Sequence, residues 1–260
     1  MSAPEGWQER PFEAQGVTRR VFHRGEGPPV LVMHEMPGIT PAVLQFCDRV
    51  VERGFRVALP VLFGEPGRGY DAGHVAKSYL HVCVSREFAM LAKHEASPIT
   101  EWLRALCRSL HEETGKPVGA VGMCLTGNFA LALAVDPWLA APVLSQPSLP
   151  IGITASHRAA PHASPAQLAC IRARHREDGV TVLGLRFSGD LLVPSERFAT
   201  LRRELGEAFE AVEIDSTRGN PHGVSRTAHS VLAFDFVDED GHPTRDALER
   251  VLSFFDERLR

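Results

Sequence analysis

Three side chains that together can move an acyl group stand in one order along this chain: a thiol at Cys124, a carboxylate at Asp190, and an imidazole at His222 or His229. A thiol attacks carbonyls once a base takes its proton, imidazole has the pKa for that base, and a carboxylate fixes the imidazole's tautomer. Each has a plainer reading alone. Cysteine is among the most buried residue types, an aspartate ahead of Pro194 can cap a helix, and a lone loop histidine is ordinarily a solvated side chain. Three positions meeting one catalytic order favour nucleophilic acyl transfer.

The local contexts sharpen this. Cys124 sits in GMCLTG, between the apolar VGAV and the helix-like NFALALAV, so a strand turns into a helix at the thiol. Such a corner needs small flanking residues because neighbouring backbone comes close. A helix start there favours an anion and aims N–H groups at an oxyanion. The usual elbow has glycine two places after the nucleophile; here Thr126 takes that place and Gly127 follows. Asp190 follows LGLRFSG and precedes LLVP, a strand-to-helix turn. His222 lies in GNPHG and His229 in TAHSVL, both after FEAVEID. The shorter tether favours His222, but Pro221 and Gly223 make it a turn tip, and the residues alone leave both open. Glu35, in VLVMHEMPGI, ends another apolar strand before a Met-Pro-Gly turn. A second oxyanion N–H is expected there, making the backbone N–H groups of Met36 and Leu125 the expected pair. The plain reading of Glu35 is a loop charge, and of His34 a packed neighbour of the sheet.

These residues can meet only if the strands that end at them lie side by side. Residues 7–24 read as two short antiparallel strands about Gly16. VLVMHE is an apolar strand, Thr40-Pro41 opens a helix over 41–53, and FRVALPVLF is the next strand. Residues 64–95 contain the helix-compatible HVAKSYLHV and EFAMLAKH without clear boundaries. A helix opens at Ser97-Pro98, VGAVGM is a strand, LTGNFALALAV a helix and APVLSQP a strand. A loop over 148–163 is long enough to be a lid or insertion. A helix from Ser164-Pro165 to Glu177, the strand TVLGLRFS, a helix from Pro194 to Leu205, the strand FEAVEID, a loop over 216–228 and a helix from Thr244 to Leu259 complete the chain. This alternation requires a mainly parallel sheet with helices on both faces. The nucleophile–acid–histidine order is that of the α/β-hydrolase fold: one three-layer domain over 1–260 with an antiparallel N-terminal lead-in.

Composition narrows the partners. Net charge is -4, which attracts neither phosphate backbones nor anionic lipid, so nucleic acid and membrane surfaces are not expected. No apolar run has the length of a membrane span, and the N-terminus lacks a secretory pattern, so a cytoplasmic location is expected. The five cysteines include no CxxC pair, which argues against a disulfide framework or a zinc site. No cofactor is called for, and the expected assembly is a monomer or homodimer.

HEMPGI, GFRVALPVLFGEPG, GMCLTG, SGDLLVP and AHSVL together resemble the dienelactone hydrolase family over about residues 28–260. The resemblance implies a cysteine hydrolase of a small ester or lactone with no metal or cofactor. It makes Cys124 the nucleophile, Asp190 the orienter and His229 the base, and Glu35 the carboxylate that holds the resting thiol in check. That family binds an anionic lactone through arginines, for which Arg86 in CVSREF is a candidate; its plain reading is a solvated helix charge. The expanded 148–180 segment and the long loop before His229 depart from the family's compact form. Two rivals follow: a non-catalytic ligand-binding or scaffold member of the fold, and a carboxylesterase or thioesterase for a larger acyl group if 148–163 forms an apolar lid.

Overall fold

The computed structural model describes residues 3–69 and 98–260. The helix-compatible stretches within 70–97, and Arg86 with them, lie outside the described residues.

Eight strands form the main sheet, in the order β1-β4-β6-β5-β7-β8-β9-β10. They are β1 (Gln8–Glu9), β4 (Val21–Arg24), β5 (Pro29–Met33), β6 (Arg56–Pro60), β7 (Val118–Met123), β8 (Leu139–Ser145), β9 (Val182–Phe187) and β10 (Phe209–Ile214). From β6 to β10 every pairing is parallel, while β4 joins β6, and β1 joins β4, antiparallel. The N-terminal reading of two strands needs correction, because each is broken in two. β2 (Phe12–Ala14) and β3 (Val17–Arg19) peel away as a separate hairpin about Gln15-Gly16. Pro11 has no N–H to donate, so the ladder cannot run through it.

The central strands read as unbroken apolar runs because both of their faces are covered. On β5, Val30 and Val32 pack into one cluster while Leu31 and Met33 pack into the other. One face is covered by α1 (Pro41–Glu52) and the C-terminal helix α7 (Pro243–Leu259), through Val43, Phe46, Val50, Val251, Phe254 and Phe255. The opposite face takes α2 (Pro98–Thr114), α3 (Gly127–Leu133), α5 (Pro165–Asp178) and α6 (Ser195–Leu205), through residues such as Trp102, Leu106, Phe129, Ile171 and Phe198. The local signals hold where they were strongest. Thr40 caps α1 by accepting from the Val43 N–H, and Ser164 with Gln167 forms a capping box on α5. The 148–163 loop contains one short helix, α4 (Ala155–Ala159).

Among the described residues no helix is long and apolar enough to cross a membrane.

Candidate active site

The sheet brings four sequence-distant positions to one edge. Glu35 follows β5, Cys124 follows β7, Asp190 follows β9, and His229 sits in the loop after β10. These are the carboxyl ends of parallel strands, where loops face a common crevice.

At Cys124 β7 passes directly into a 3₁₀ turn over Cys124–Thr126 and then into α3. Cys124 has φ 55°, a left-handed conformation that costs a non-glycine residue about 1–3 kcal/mol. Two glycines make that corner possible. A Cβ on Gly122 would lie 2.2 Å from the Thr126 carbonyl oxygen, and one on Gly127 would lie 2.7 Å from the Pro147 Cα. Thr126, the departure from the usual elbow, has a structural task. Its hydroxyl donates to the Met33 carbonyl at 2.7 Å and accepts from the Met123 N–H at 2.9 Å, tying the elbow to the end of β5.

Of the two histidines, only His229 is brought to this edge. His229 Nδ1 lies 2.6 Å from Asp190 Oδ2, while Asp190 Oδ1 accepts the Leu192 N–H at 2.9 Å. Asp190 thus caps its own turn and orients the histidine at once, and α6 starts beyond it at Ser195. His222 is exposed and packs edge-on against His242, away from this cluster. Burial is the largest influence on His229 and opposes its charge. The hydrogen bond to Asp190, the neighbouring Cys124 sulfur and the charges of both outweigh burial and push the imidazole up to about 11. Its Nε2 is buried with no hydrogen-bond partner among the described residues. The Cys124 sulfur lies 3.5 Å from Ser148 Oγ.

Glu35 is buried and belongs to a polar network. Its Oε1 accepts from Ser230 Oγ at 2.6 Å and its Oε2 from Gln146 Nε2 at 2.8 Å. Burial raises its pKa, which these hydrogen bonds partly offset. The resemblance pairs this carboxylate with the thiol; here both oxygens are taken by Ser230 and Gln146. His34 is a packed neighbour of the sheet, as its plain reading has it. Its Nε2 accepts the Leu62 N–H, so Nδ1 carries the proton and donates to the Glu35 carbonyl. Burial lowers His34 to about 4, which keeps it neutral.

Sequence reasoning passed over Gln146, Ser148, Arg197, Ser230 and Asp235. Asp235 Oδ2 accepts the N–H groups of both His229 and Ser230, at 2.8 and 2.9 Å, and so fixes the histidine loop. Only the acidic run FDFVDED after His229 hinted at it. Arg197 is fully buried and bonds the carbonyls of Pro147, Pro150, His157 and Ala160. Its position on a helix carries no sequence signal for that role. Met36 and Leu125 join Cys124, His229, Glu35 and Ser148 in lining a cavity of about 390 Å³. Among the described residues no group of three or more His, Cys, Asp or Glu is placed to hold a metal ion.

Solved structures share this architecture. A dienelactone hydrolase from Anabaena variabilis superposes with a TM-score of 0.61 at 14% identity, over 98% of this chain and 100% of that one. A dienelactone hydrolase-like promiscuous phosphotriesterase from metagenomic libraries gives 0.60 at 16%, over 98% of both chains. A cold-adapted esterase from an Arctic intertidal metagenomic library gives 0.57 at 16%, over 100% and 97%. At these identities the likeness speaks for the α/β-hydrolase fold. No curated protein matches the sequence. The dienelactone hydrolase family model matches residues 20–259, nearly the whole chain, and this protein therefore belongs to that family and is an ester-bond hydrolase.

Proposed function

We propose that the protein hydrolyses a small ester or lactone through a covalent acyl intermediate on Cys124. The observation that carries this reading is the cluster at the sheet edge: a strained-corner thiol on one side of His229 and Asp190 bonded to its other side at 2.6 Å.

In the acylation step the imidazole takes or holds the thiol proton and the sulfur adds to the carbonyl carbon. The oxyanion settles against the Met36 and Leu125 N–H groups, the latter at the start of a helical segment where amides lack intrahelical partners. Collapse breaks the carbonyl–alkoxy bond, and His229 returns the proton to the leaving alcohol. Water then attacks the thioester, giving its proton to His229, and the acid is released as sulfur takes the proton back. Asp190 keeps Nδ1 protonated throughout, so that Nε2 faces the reacting atoms. Glu35 acts through Ser230 on the loop that carries the base.

The test is a time course of p-nitrophenyl acetate hydrolysis with mass spectrometry of rapidly quenched enzyme. An acetyl adduct on the Cys124 peptide supports the mechanism. Steady turnover with the adduct on no cysteine under any quench, and unchanged in Cys124→Ala, removes it.

A further inference from the structure

Among the described residues, the large apolar side chains left exposed are Ile151, Ile153, Leu191, Leu192 and Phe234. Ile151, Leu192 and Phe234 line the active cavity itself. The other two are their neighbours in the chain, and Ile153 and Leu191 are each 82% exposed. The two loops adjoin, since a Cβ on Gly152 would sit 3.3 Å from Pro194 Cγ. Single exposed apolar residues are ordinary; a group of them confined to one cavity mouth marks a binding surface. The loop carrying Ile151 is held in place, because Arg197 binds carbonyls on both sides of that residue, at Pro147 and Pro150 before it and at His157 and Ala160 after it. Inside the mouth Met36 and Leu125 continue the apolar wall. The carboxylates of the described lining are Glu35 and Asp235, with no lysine or arginine among the described lining residues.

We propose that the acyl part of the substrate is an uncharged apolar chain that leaves the cavity across Ile151, Leu192 and Phe234, and that a carboxylate-bearing acyl group is the poorer substrate. This rests on reading the site as a Cys124 ester hydrolase. A cavity of about 390 Å³ is at the small end for ligand sites, and its mouth is lined by Ile151, Leu192 and Phe234, so an acyl chain of several carbons reaching the mouth lies against them. A carboxylate on that chain would lie beside Glu35 and Asp235 and lose water to apolar side chains outside, while the imidazolium of His229 is already paired with Asp190.

The test is kcat/KM for p-nitrophenyl esters from acetate to hexanoate, with valerate set against mono-p-nitrophenyl glutarate, which has the same length but ends in a carboxylate. Burial is worth up to about fourfold per methylene, so a rise of at least about tenfold from acetate to hexanoate is expected. Valerate should exceed the glutarate ester by a similar factor. In Ile151→Ser and Leu192→Ser the hexanoate-to-acetate ratio should fall severalfold. A flat or falling series, a preferred glutarate ester, or an unchanged ratio in both variants overturns the proposal. Calorimetry of Cys124→Ala with N-methylacetamide and N-methylhexanamide separates the two readings. Amides that tighten with length, in an enzyme that cleaves no ester, would sink the hydrolase reading and leave the apolar site standing. Esters cleaved without regard to length would do the reverse.

Discussion

Cys124 and His229 depend on each other for their state. The imidazole is pushed up to about 11 against burial by Asp190 on one side and Cys124 on the other. In Cys124→Ala the ring loses one of those partners, so its proton NMR titration midpoint should move down, and further in Cys124→Ala/Asp190→Asn. The same pair sets a pH dependence of stability. His229 binds its proton more tightly folded than unfolded, where it titrates near 6.5. Its contribution is therefore complete below about pH 6.5 and is lost as the pH climbs towards about 11. Denaturant midpoints of the wild type, relative to His229→Ala, should fall steadily between pH 6 and 10; a gap that widens with pH would contradict the assignment. For catalysis, Cys124→Ala should lower kcat by about a thousandfold or more, several kcal/mol of barrier, with an unchanged circular dichroism spectrum. Cys47→Ala, Cys107→Ala and Cys170→Ala should stay within about tenfold in the same assay. Cys47 and Cys107 are buried in the packed interior, where burial pushes their thiols well up, out of the reactive range.

At the scale of elements, the site rests on two devices, a tight elbow and a riveted loop. Gly122→Ala would drive a methyl group to 2.2 Å from the Thr126 carbonyl, and backbone cannot yield as a flexible side chain can. The corner should open, Cys124 should leave its left-handed conformation, and hydrolysis should fall by orders of magnitude while much of the sheet persists. A crystal structure or the Cys124 alkylation rate would report this. Arg197 anchors the loop after β8 with hydrogen bonds to four carbonyls. Its guanidinium is held down to about 10 by burial, which the nearby Asp190 charge offsets only in part. Arg197→Met keeps much of the volume but strands those carbonyls. It should cost about 2–4 kcal/mol and raise hydrogen exchange selectively over residues 147–160. Ile151 and Ser148 are carried on that loop, so KM should rise as well.

For the whole molecule, α7 closes the face of the sheet behind the active edge. Phe254 and Phe255 are fully buried, and Phe255 packs directly on Gly119 of β7, where an added Cβ would lie 3.2 Å from its ring. Phe255→Ala should cost about 3–5 kcal/mol because the surrounding strands cannot collapse into the space. The lesion is remote from the chemistry, so kcat per folded molecule should be nearly unchanged at low temperature while the denaturation midpoint drops. A large kcat loss in fully folded protein would mean that the sheet transmits strain to the elbow.

The elements were legible in the sequence because their signals are local. Buried parallel strands such as VGAVGM are continuous apolar runs, and Thr40-Pro41 and Ser164-Pro165 announce helix starts through backbone groups only a few residues away. Cys124, Asp190 and Glu35 were legible for the same reason, since each stands where a strand ends. The choice between His222 and His229 was not, because both lie on one irregular loop whose path is set by contacts with Asp235 and Asp190. Gln146, Ser230 and Arg197 carried no signal at all. Their partners lie 111, 195 and up to 50 positions away, so their roles exist only once the sheet has brought distant strand ends together. Periodicity and capping therefore determined which strands and helices form. Burial of both faces of the sheet decided which polar groups meet at its edge, because only there must each find a partner across the fold.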